Sequence, residues 1–157
     1  MTDVLIVDEV GCAADRVPEL LSAVLKAQPG GEASGYYRLE VPFEELGLPD
    51  VGEFSRRVDV RLGTPQSRPV FGSLNELRIP LSWEVPGHAA FPVFEGFLEV
   101  TPLAQQRSQL TVAGAYRPPG GPVGAAFDAA IGHRIAEATI RHFLSGLRHA
   151  IEARAVS

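Results

Sequence analysis

Tyr116 and Trp83 are the two residues of this chain best suited by type to contact an organic ligand. Tyr116 could donate a hydrogen bond to a ligand carbonyl, although a buried tyrosine commonly satisfies its hydroxyl on backbone or water. Trp83, the only tryptophan, is better suited to forming a cavity wall than to reacting. The residue types favour a satisfied hydroxyl over a reactive one.

Three histidines lie near the C-terminus and could in principle bind a metal ion. His142 and His149 are seven residues apart and would share one face of a helix, with His133 nearby. That face is the polar one, and no third ligand accompanies the pair, so the spacing favours solvated side chains over a metal site. We expect neither a metal ion nor a cofactor.

Acid–base catalysis would need a paired or desolvated carboxylate. Glu95 and Glu99 share a strand face, but in the predicted register that face points outward, where both act as solubilising charges. Glu137 and Arg141 form an i, i+4 helix pair that contributes a few tenths of a kcal/mol. A phosphate-binding glycine loop, a GxSxG motif and an HExxH motif are absent from the sequence. The catalytic residues therefore remain unassigned.

The composition is that of one globular domain, residues 1–157, large enough to bury a core. Cys12 is the only cysteine, which excludes an intramolecular disulfide and a cysteine-based zinc site. A net charge of −5 argues against a nucleic-acid partner. With no secretion signal and no run of 18 apolar residues, and with arginine outnumbering lysine, we expect a cytoplasmic bacterial protein without a transmembrane segment.

A long C-terminal helix is expected to position the candidate residues. Prolines and glycines at 118–122 interrupt the chain, and a helical run over about 123–153 follows. Its apolar stripe recurs at three- and four-residue steps and comprises Ala136, Ile140, Phe143, Leu144, Leu147 and Ile151. Phe127, Ile131 and Ile135 are out of phase with that stripe, which predicts a break at Gly132 and a lid over 123–131. The alternative is one straight helix, with Phe127 and Ile131 buried under a loop or at a partner.

Antiparallel strands are expected to support that helix. Alternation predicts strands over 3–10, 36–41, 57–62, 77–85, 94–100 and 110–116. A helix capped by Asp15, with Pro18 in its first turn, should follow the first strand. Residues 63–73 read as a loop with a possible short strand at 69–71.

Two glycines are predicted to face each other on the inner side of the sheet. A hairpin centred near Gln105 pairs Gly96 with Gly114 and, on either side of them, Leu98 with Val112 and Phe94 with Tyr116. Glycine weakens a strand, so a facing pair indicates either a close approach by another element or a space that is kept open. The sequence leaves both possibilities standing.

Several segments resemble bacterial members of the START-like (SRPBCC) superfamily. These segments are FEGFLEVTPL at 94–103, the strand at 110–119, GPVG at 121–124 and AEAT at 136–139 leading to Phe143 and Leu144. The superfamily includes polyketide cyclases, lipid-transfer domains and birch-pollen-allergen relatives. The resemblance implies an α+β helix-grip fold, in which a curved antiparallel sheet wraps around the long C-terminal helix and a short helix follows the first strand. It also implies an apolar cavity between sheet and helix.

We therefore expect the protein to bind or carry a hydrophobic small molecule such as a lipid, a quinone or a polyketide-like compound. One alternative is a polyketide cyclase or dehydrase-like enzyme with Tyr116 as proton donor. Another is an interaction protein whose core is filled and whose Phe127 and Ile131 form a partner surface. The sequence leaves the oligomeric state open. The expected ligand-binding residues are Tyr37, Leu81, Trp83, Phe94, Gly96, Leu98, Val112, Gly114, Tyr116, Phe127 and Ile131.

Overall fold

The computed structural model describes residues 2–27, 36–42, 55–71, 74–84, 93–117 and 129–156. A first strand, a 3-10 turn at Ala14–Arg16 and a helix open the chain, strands follow, and a long helix closes it. The strands are β1 (Thr2–Val10), β2 (Tyr36–Pro42), β3 (Ser55–Leu62), β4 (Gln66–Phe71), β5 (Leu74–Glu84), β6 (Val93–Ala104) and β7 (Arg107–Arg117). The helices are α1 (Val17–Ala27) and α2 (Ala129–Ala155).

The strands form one antiparallel sheet in the order β1-β7-β6-β5-β3-β2, and β4 pairs with β5 outside that path. The predicted register of the β6–β7 hairpin is confirmed, because Gly96 faces Gly114 and Phe94 faces Tyr116. The turn falls at residues 105–106. The register follows from the alternation of the two strands, since a slip by one residue would expose every buried side chain.

β4 is longer than the sequence predicted. Residues 66–71 form a strand on β5, where only a loop with a short strand at 69–71 was expected. The side chains of residues 66–69 are all exposed, so this stretch shows no alternation of buried and exposed positions. Its register on β5 shifts between Pro69 and Phe71, and proline is tolerated on such an outer strand because it needs no ladder donor.

α1 buries one apolar face, since Val17, Leu20, Leu21 and Val24 are all buried. Asp15 does not cap the helix directly but lies inside the preceding 3-10 turn. That turn is closed by a hydrogen bond of 3.0 Å from the Arg16 N–H to the Ala13 carbonyl.

α2 passes through Gly132 without interruption, so the predicted break there is wrong. A single glycine costs a helix only about 1 kcal/mol relative to alanine, which burial of the stripe outweighs. Phe127 and residues 123–128 of the predicted lid lie outside the described residues. Ile131 lies in the first turns of α2, and its side chain is outside the description. The apolar stripe itself is confirmed, because each of its six members is 1% exposed or less: Ala136, Ile140, Phe143, Leu144, Leu147 and Ile151.

α2 packs against α1 and β7 and against both edge strands of the sheet, β1 and β2. An element that touches both edges of a sheet must lie in its hollow, so the sheet curves around the helix. The last turns of α2 are fixed to the end of β1. Arg148 contacts Asp8 at 3.3 Å, and Glu152 accepts a hydrogen bond of 3.0 Å from the Gly11 N–H. The inner face of the sheet, α1 and α2 share one hydrophobic core.

Within the described parts of the chain, neither helix combines the length and the apolar character that crossing a membrane requires.

Candidate functional site

Four aromatic residues occupy one row across the sheet, and we call them the aromatic row: Tyr37, Trp83, Phe94 and Tyr116. The register pairs Tyr37 with Val60, Val60 with Trp83, Trp83 with Phe94, and Phe94 with Tyr116. Directly paired residues point to the same face of a sheet, so the row belongs to the inner face. The side chain of Tyr37 lies outside the description.

The described members of the aromatic row are closely packed. The rings of Trp83 and Phe94 stack with their centroids 4.5 Å apart and their planes 13° from parallel. Trp83 is 3% exposed, Phe94 0% and Tyr116 1%. Burial of this degree is expected both for the wall of an enclosed cavity and for a filled core.

The next two rows of the inner face hold most of the other predicted ligand-binding residues. Leu81, Gly96 and Gly114 form the row beside the aromatic row, and Leu98 and Val112 belong to the row beyond it. Leu81, Leu98 and Val112 are all buried. The structure therefore brings the predicted strand residues together on one surface, and Phe127 alone among the predicted set lies wholly outside the described residues.

Gly96 and Gly114 lie where two neighbouring strands come too close for a side chain at either position. A Cβ on Gly96 would lie 2.2 Å from the Ala113 carbonyl oxygen and 2.6 Å from the Gly114 Cα. A Cβ on Gly114 would lie 2.4 Å from the Glu95 carbonyl oxygen and 2.7 Å from the Phe94 Cζ. The close approach is therefore between two neighbouring strands, with the Phe94 ring beside them, and glycine pairs of this kind let a sheet bend.

The open side of the glycine pair is the outer face of the sheet. A groove of about 570 Å³ is lined there by both glycines and by Leu5, Phe97 and Ala113.

The apolar stripe of α2 begins with the small Ala136 and continues with the larger Ile140, Phe143, Leu144 and Leu147, all of them buried. Arg148 lies at Asp8 and Glu152 at Gly11, so α2 and β1 run in the same direction. Counting back from Arg148, Ala136 lies about 18 Å along the helix. Counting back from Asp8, Thr2 lies about 20 Å along the strand. Thr2 pairs with Tyr116, so by this count Ala136 is the stripe residue nearest the level of the aromatic row.

Few polar groups reach the interior. Of the buried polar side chains among the described residues, Ser108 and Thr139 lie on the inner side, whereas Glu76 and Thr111 belong to outer-face positions. The Ser108 hydroxyl donates to the Cys12 carbonyl at 2.7 Å. Burial raises the pKa of the Cys12 thiol, which keeps it protonated and poorly nucleophilic.

A carboxyl pair does exist, but on the outer face. Glu99, predicted to be a solvated charge, has a side chain only 20% exposed and lies beside Arg78. Burial and the neighbouring Glu76 carboxyl raise the pKa of Glu99. Burial opposes ionisation of Glu76 as well, yet hydrogen bonds, chiefly from Arg68 at 2.7 Å, lower the pKa of its carboxyl. Glu76 was not predicted to belong to a pair. Only its position diagonal to Glu99 on the neighbouring strand could have indicated the contact.

Two of the three C-terminal histidines have described side chains, and that of His133 lies outside the description. His142 and His149 are exposed, and His149 Nδ1 lies 2.7 Å from the Ser145 carbonyl oxygen. Among the residues that the structure describes, histidine, cysteine and carboxylate side chains nowhere form a group of three or more that could bind a metal ion.

Comparison with known proteins gives structural matches only. No protein-family model matches the sequence, and neither does any curated protein. A conserved protein from Geobacillus kaustophilus overlays with a TM-score of 0.52 at 17% identity, covering 96% of this chain and 95% of that one.

Two further structures overlay more loosely. A START superfamily protein from Mycobacterium smegmatis has a TM-score of 0.49 at 16% identity, over 98% of this chain and 96% of that one. The Zhui aromatase/cyclase from Streptomyces sp. R1128 has a TM-score of 0.45 at 19% identity, over 98% and 93% of the two chains. Likenesses at this level of identity say nothing about ligand or reaction. The order of elements, the antiparallel sheet and the enclosed C-terminal helix give this chain the helix-grip α+β fold that its resemblance to the START-like superfamily implies.

Proposed function

We propose that the protein binds and carries a hydrophobic small molecule, of the lipid, quinone or polyketide class, between the aromatic row and the first half of α2. The observation that supports this most directly is the change in side-chain size along α2. By the count along α2 and β1, Ala136 lies nearest the level of the aromatic rings, whereas the larger Ile140, Phe143 and Leu144 are buried farther along the helix. An apolar wall opposite small side chains is the arrangement expected of a small-molecule site.

Binding is favoured over catalysis by the polar groups of the interior. General acid–base chemistry requires a group that exchanges protons near neutral pH within reach of the substrate. The buried polar side chains described on the inner side are the hydroxyls of Ser108 and Thr139, to which Tyr116 adds a phenol. The described carboxyl pair of Glu76 and Glu99 lies on the other face of the sheet. The polyketide cyclase or dehydrase alternative keeps a candidate proton donor in Tyr116.

Titration with an uncharged fluorescent probe, N-phenyl-1-naphthylamine, tests the proposal. Trp83 is the only tryptophan, so quenching of its emission by the probe reports on the aromatic row alone. We expect saturable quenching in the wild type. Ala136→Leu should weaken binding at least tenfold, because the added side chain occupies the space opposite the rings, at a stability cost of about 1–3 kcal/mol.

Ala153→Leu is the matched control, because it makes the same substitution at an exposed position of the same helix. It should bind the probe as the wild type does. A wild type that quenches nothing would favour the filled core of an interaction protein. Equal probe binding by a folded Ala136→Leu variant would place the ligand elsewhere. Native mass spectrometry of protein purified from its own source would then identify the class of any retained ligand.

A further inference from the structure

We propose that β1 is a self-association surface, through which two copies of this chain join edge to edge into one continuous antiparallel sheet. Among the described strands, β1 is hydrogen-bonded to β7 alone and therefore ends the sheet. Its nine residues pair with β7 in unbroken register from Thr2 to Val10. Edge strands of monomeric proteins are usually protected by a bulge, a proline or charged side chains, lysine above all; β1 has no bulge, proline or lysine, and its charges are those of Asp3, Asp8 and Glu9.

The outer face of β1 carries large apolar side chains that contact little in one copy. Leu5 is 66% exposed and Val7 is 50% exposed. They occupy alternate positions of the strand, and Leu5 continues into the apolar outer row formed by Ala113, Phe97 and Pro80. An unpaired strand with an apolar exposed face is the feature that monomeric proteins avoid, because it templates pairing with another chain.

A second copy fits this edge better than an unrelated strand because the sequence of β1 is complementary to itself. With a twofold axis through Ile6, the midpoint of Thr2–Val10, Leu5 of one copy lies directly opposite Val7 of the other. Both exposed side chains then gain a cross-strand apolar neighbour, and they do so twice by symmetry. An axis at Leu5 would instead set Val7 against Asp3, and an axis at Val7 would set Leu5 against Glu9.

The charges at the two ends of the paired strands are compatible with the axis at Ile6. That register sets Asp3 beside Glu9 of the second copy. Glu9 is ion-paired with Arg107, whose side chain is 59% exposed, so a guanidinium approaches Asp3 together with the carboxylate. Arg107 thereby offsets a like-charge contact that would otherwise oppose pairing.

Sedimentation equilibrium of the full chain at rising concentration tests the association. An edge-to-edge contact is small, so we expect a doubling of mass in the range of about 10–500 µM, with a dissociation constant typical of weak interfaces. Leu5→Lys should reduce the association constant at least tenfold, since a lysine on an edge strand disfavours pairing. Leu103→Lys is the control, because Leu103 is 48% exposed but lies away from the edge, and it should associate as the wild type does. Arg107→Gln should weaken association several-fold.

Disulfide trapping tests the register. A mixture of Leu5→Cys and Val7→Cys proteins should cross-link on mild oxidation, because the two positions are directly opposed. Either variant alone should not, because identical positions are then diagonal and about 7–8 Å apart. The wild type is the blank, since Cys12 is buried. Three results would overturn the proposal: a wild type that stays monomeric at every concentration, an equal loss of association in Leu103→Lys, or cross-linking by either cysteine variant alone. A circular dichroism melt of each variant verifies that it is folded.

Discussion

At the scale of single residues, the facing glycines bear most directly on how the sheet is shaped. Gly96→Ala should lower the free energy of unfolding by at least about 2 kcal/mol. The new Cβ would lie 2.2 Å from the Ala113 carbonyl oxygen, and a backbone atom in a paired strand cannot move aside as a side-chain end can. Chemical denaturation measures the change.

Gly11→Ala is the matched control for that substitution. A Cβ on Gly11 would meet nothing nearer than a Glu152 side-chain oxygen at 3.6 Å, which is an ordinary contact, and the Gly11 N–H that bonds Glu152 is retained. Gly11→Ala should therefore change stability by less than about 0.5 kcal/mol. A Gly96→Ala protein as stable as Gly11→Ala would mean that the two strands can separate at the glycine pair without cost.

The outer-face carboxyl pair predicts a pH dependence of stability. The pKa of Glu99 is raised in the folded state by burial and by Glu76, so the unfolded chain loses this proton first as the pH rises. Glu99 therefore lowers stability progressively above its unfolded pKa. Glu99→Gln removes that ionisation and should stabilise the protein at pH 7, with the gain shrinking toward pH 4.

Glu95→Gln serves as the comparison, because Glu95 lies on the same face of β6 but is exposed. It removes a carboxyl from the same face of the strand and so controls for the loss of one negative charge. Loss of stability at pH 7 in Glu99→Gln would show that the contact with Arg78, at 3.6 Å, outweighs repulsion between the two carboxyls. Urea denaturation of the three proteins at pH 4, 5.5 and 7 separates these outcomes.

Residue-level features could be predicted where a strand repeats with period two. Alternation along β6 and β7 was enough to pair Gly96 with Gly114, because any other register exposes buried side chains. It was not enough to say why glycine is needed at both positions, since that depends on how closely the two strands approach. The contact between Glu76 and Glu99 was missed for a related reason, because it runs diagonally between strands.

At the scale of elements, α2 shows what periodicity can and cannot settle. The stripe from Ala136 to Ile151 was predicted in full, because three- and four-residue spacing has only one helical interpretation. The break at Gly132 was wrong, because the phase of Phe127 and Ile131 was taken to require contact with the same sheet. The length of β4 was underestimated because the exposed side chains of residues 66–69 do not alternate, and alternation is the signal by which a strand is predicted.

At the scale of the whole molecule, the architecture was accessible from the order of elements, and the resemblance to the START-like superfamily supplied the curvature. The sequence could not predict whether the space between sheet and helix holds a ligand or is filled by side chains, because the residues of a cavity wall and of a filled core have the same apolar periodicity. The predicted strand residues of the site do lie on one inner surface. Whether they surround a ligand depends on volumes that single residues do not encode.

The shared core predicts that residues 1–157 unfold as one unit, as the single-domain interpretation requires. The inner face of the sheet, α1 and α2 belong to one cluster of buried residues. Far-UV circular dichroism, which follows the backbone, and Trp83 fluorescence, which follows the aromatic row, should therefore give coincident denaturation curves.

Phe143→Ala should shift both of those curves together, because the Phe143 side chain is 1% exposed and packs in the same core. The expected loss is about 2–5 kcal/mol by either probe. His149→Ala, on the exposed face of α2, should be nearly neutral. If the fluorescence transition preceded the dichroism transition, and Phe143→Ala moved only the latter, the aromatic row would unfold independently of the helix that the sheet encloses. The site proposed between them would then have one stable wall instead of two, and the protein would have to be treated as two cooperative units.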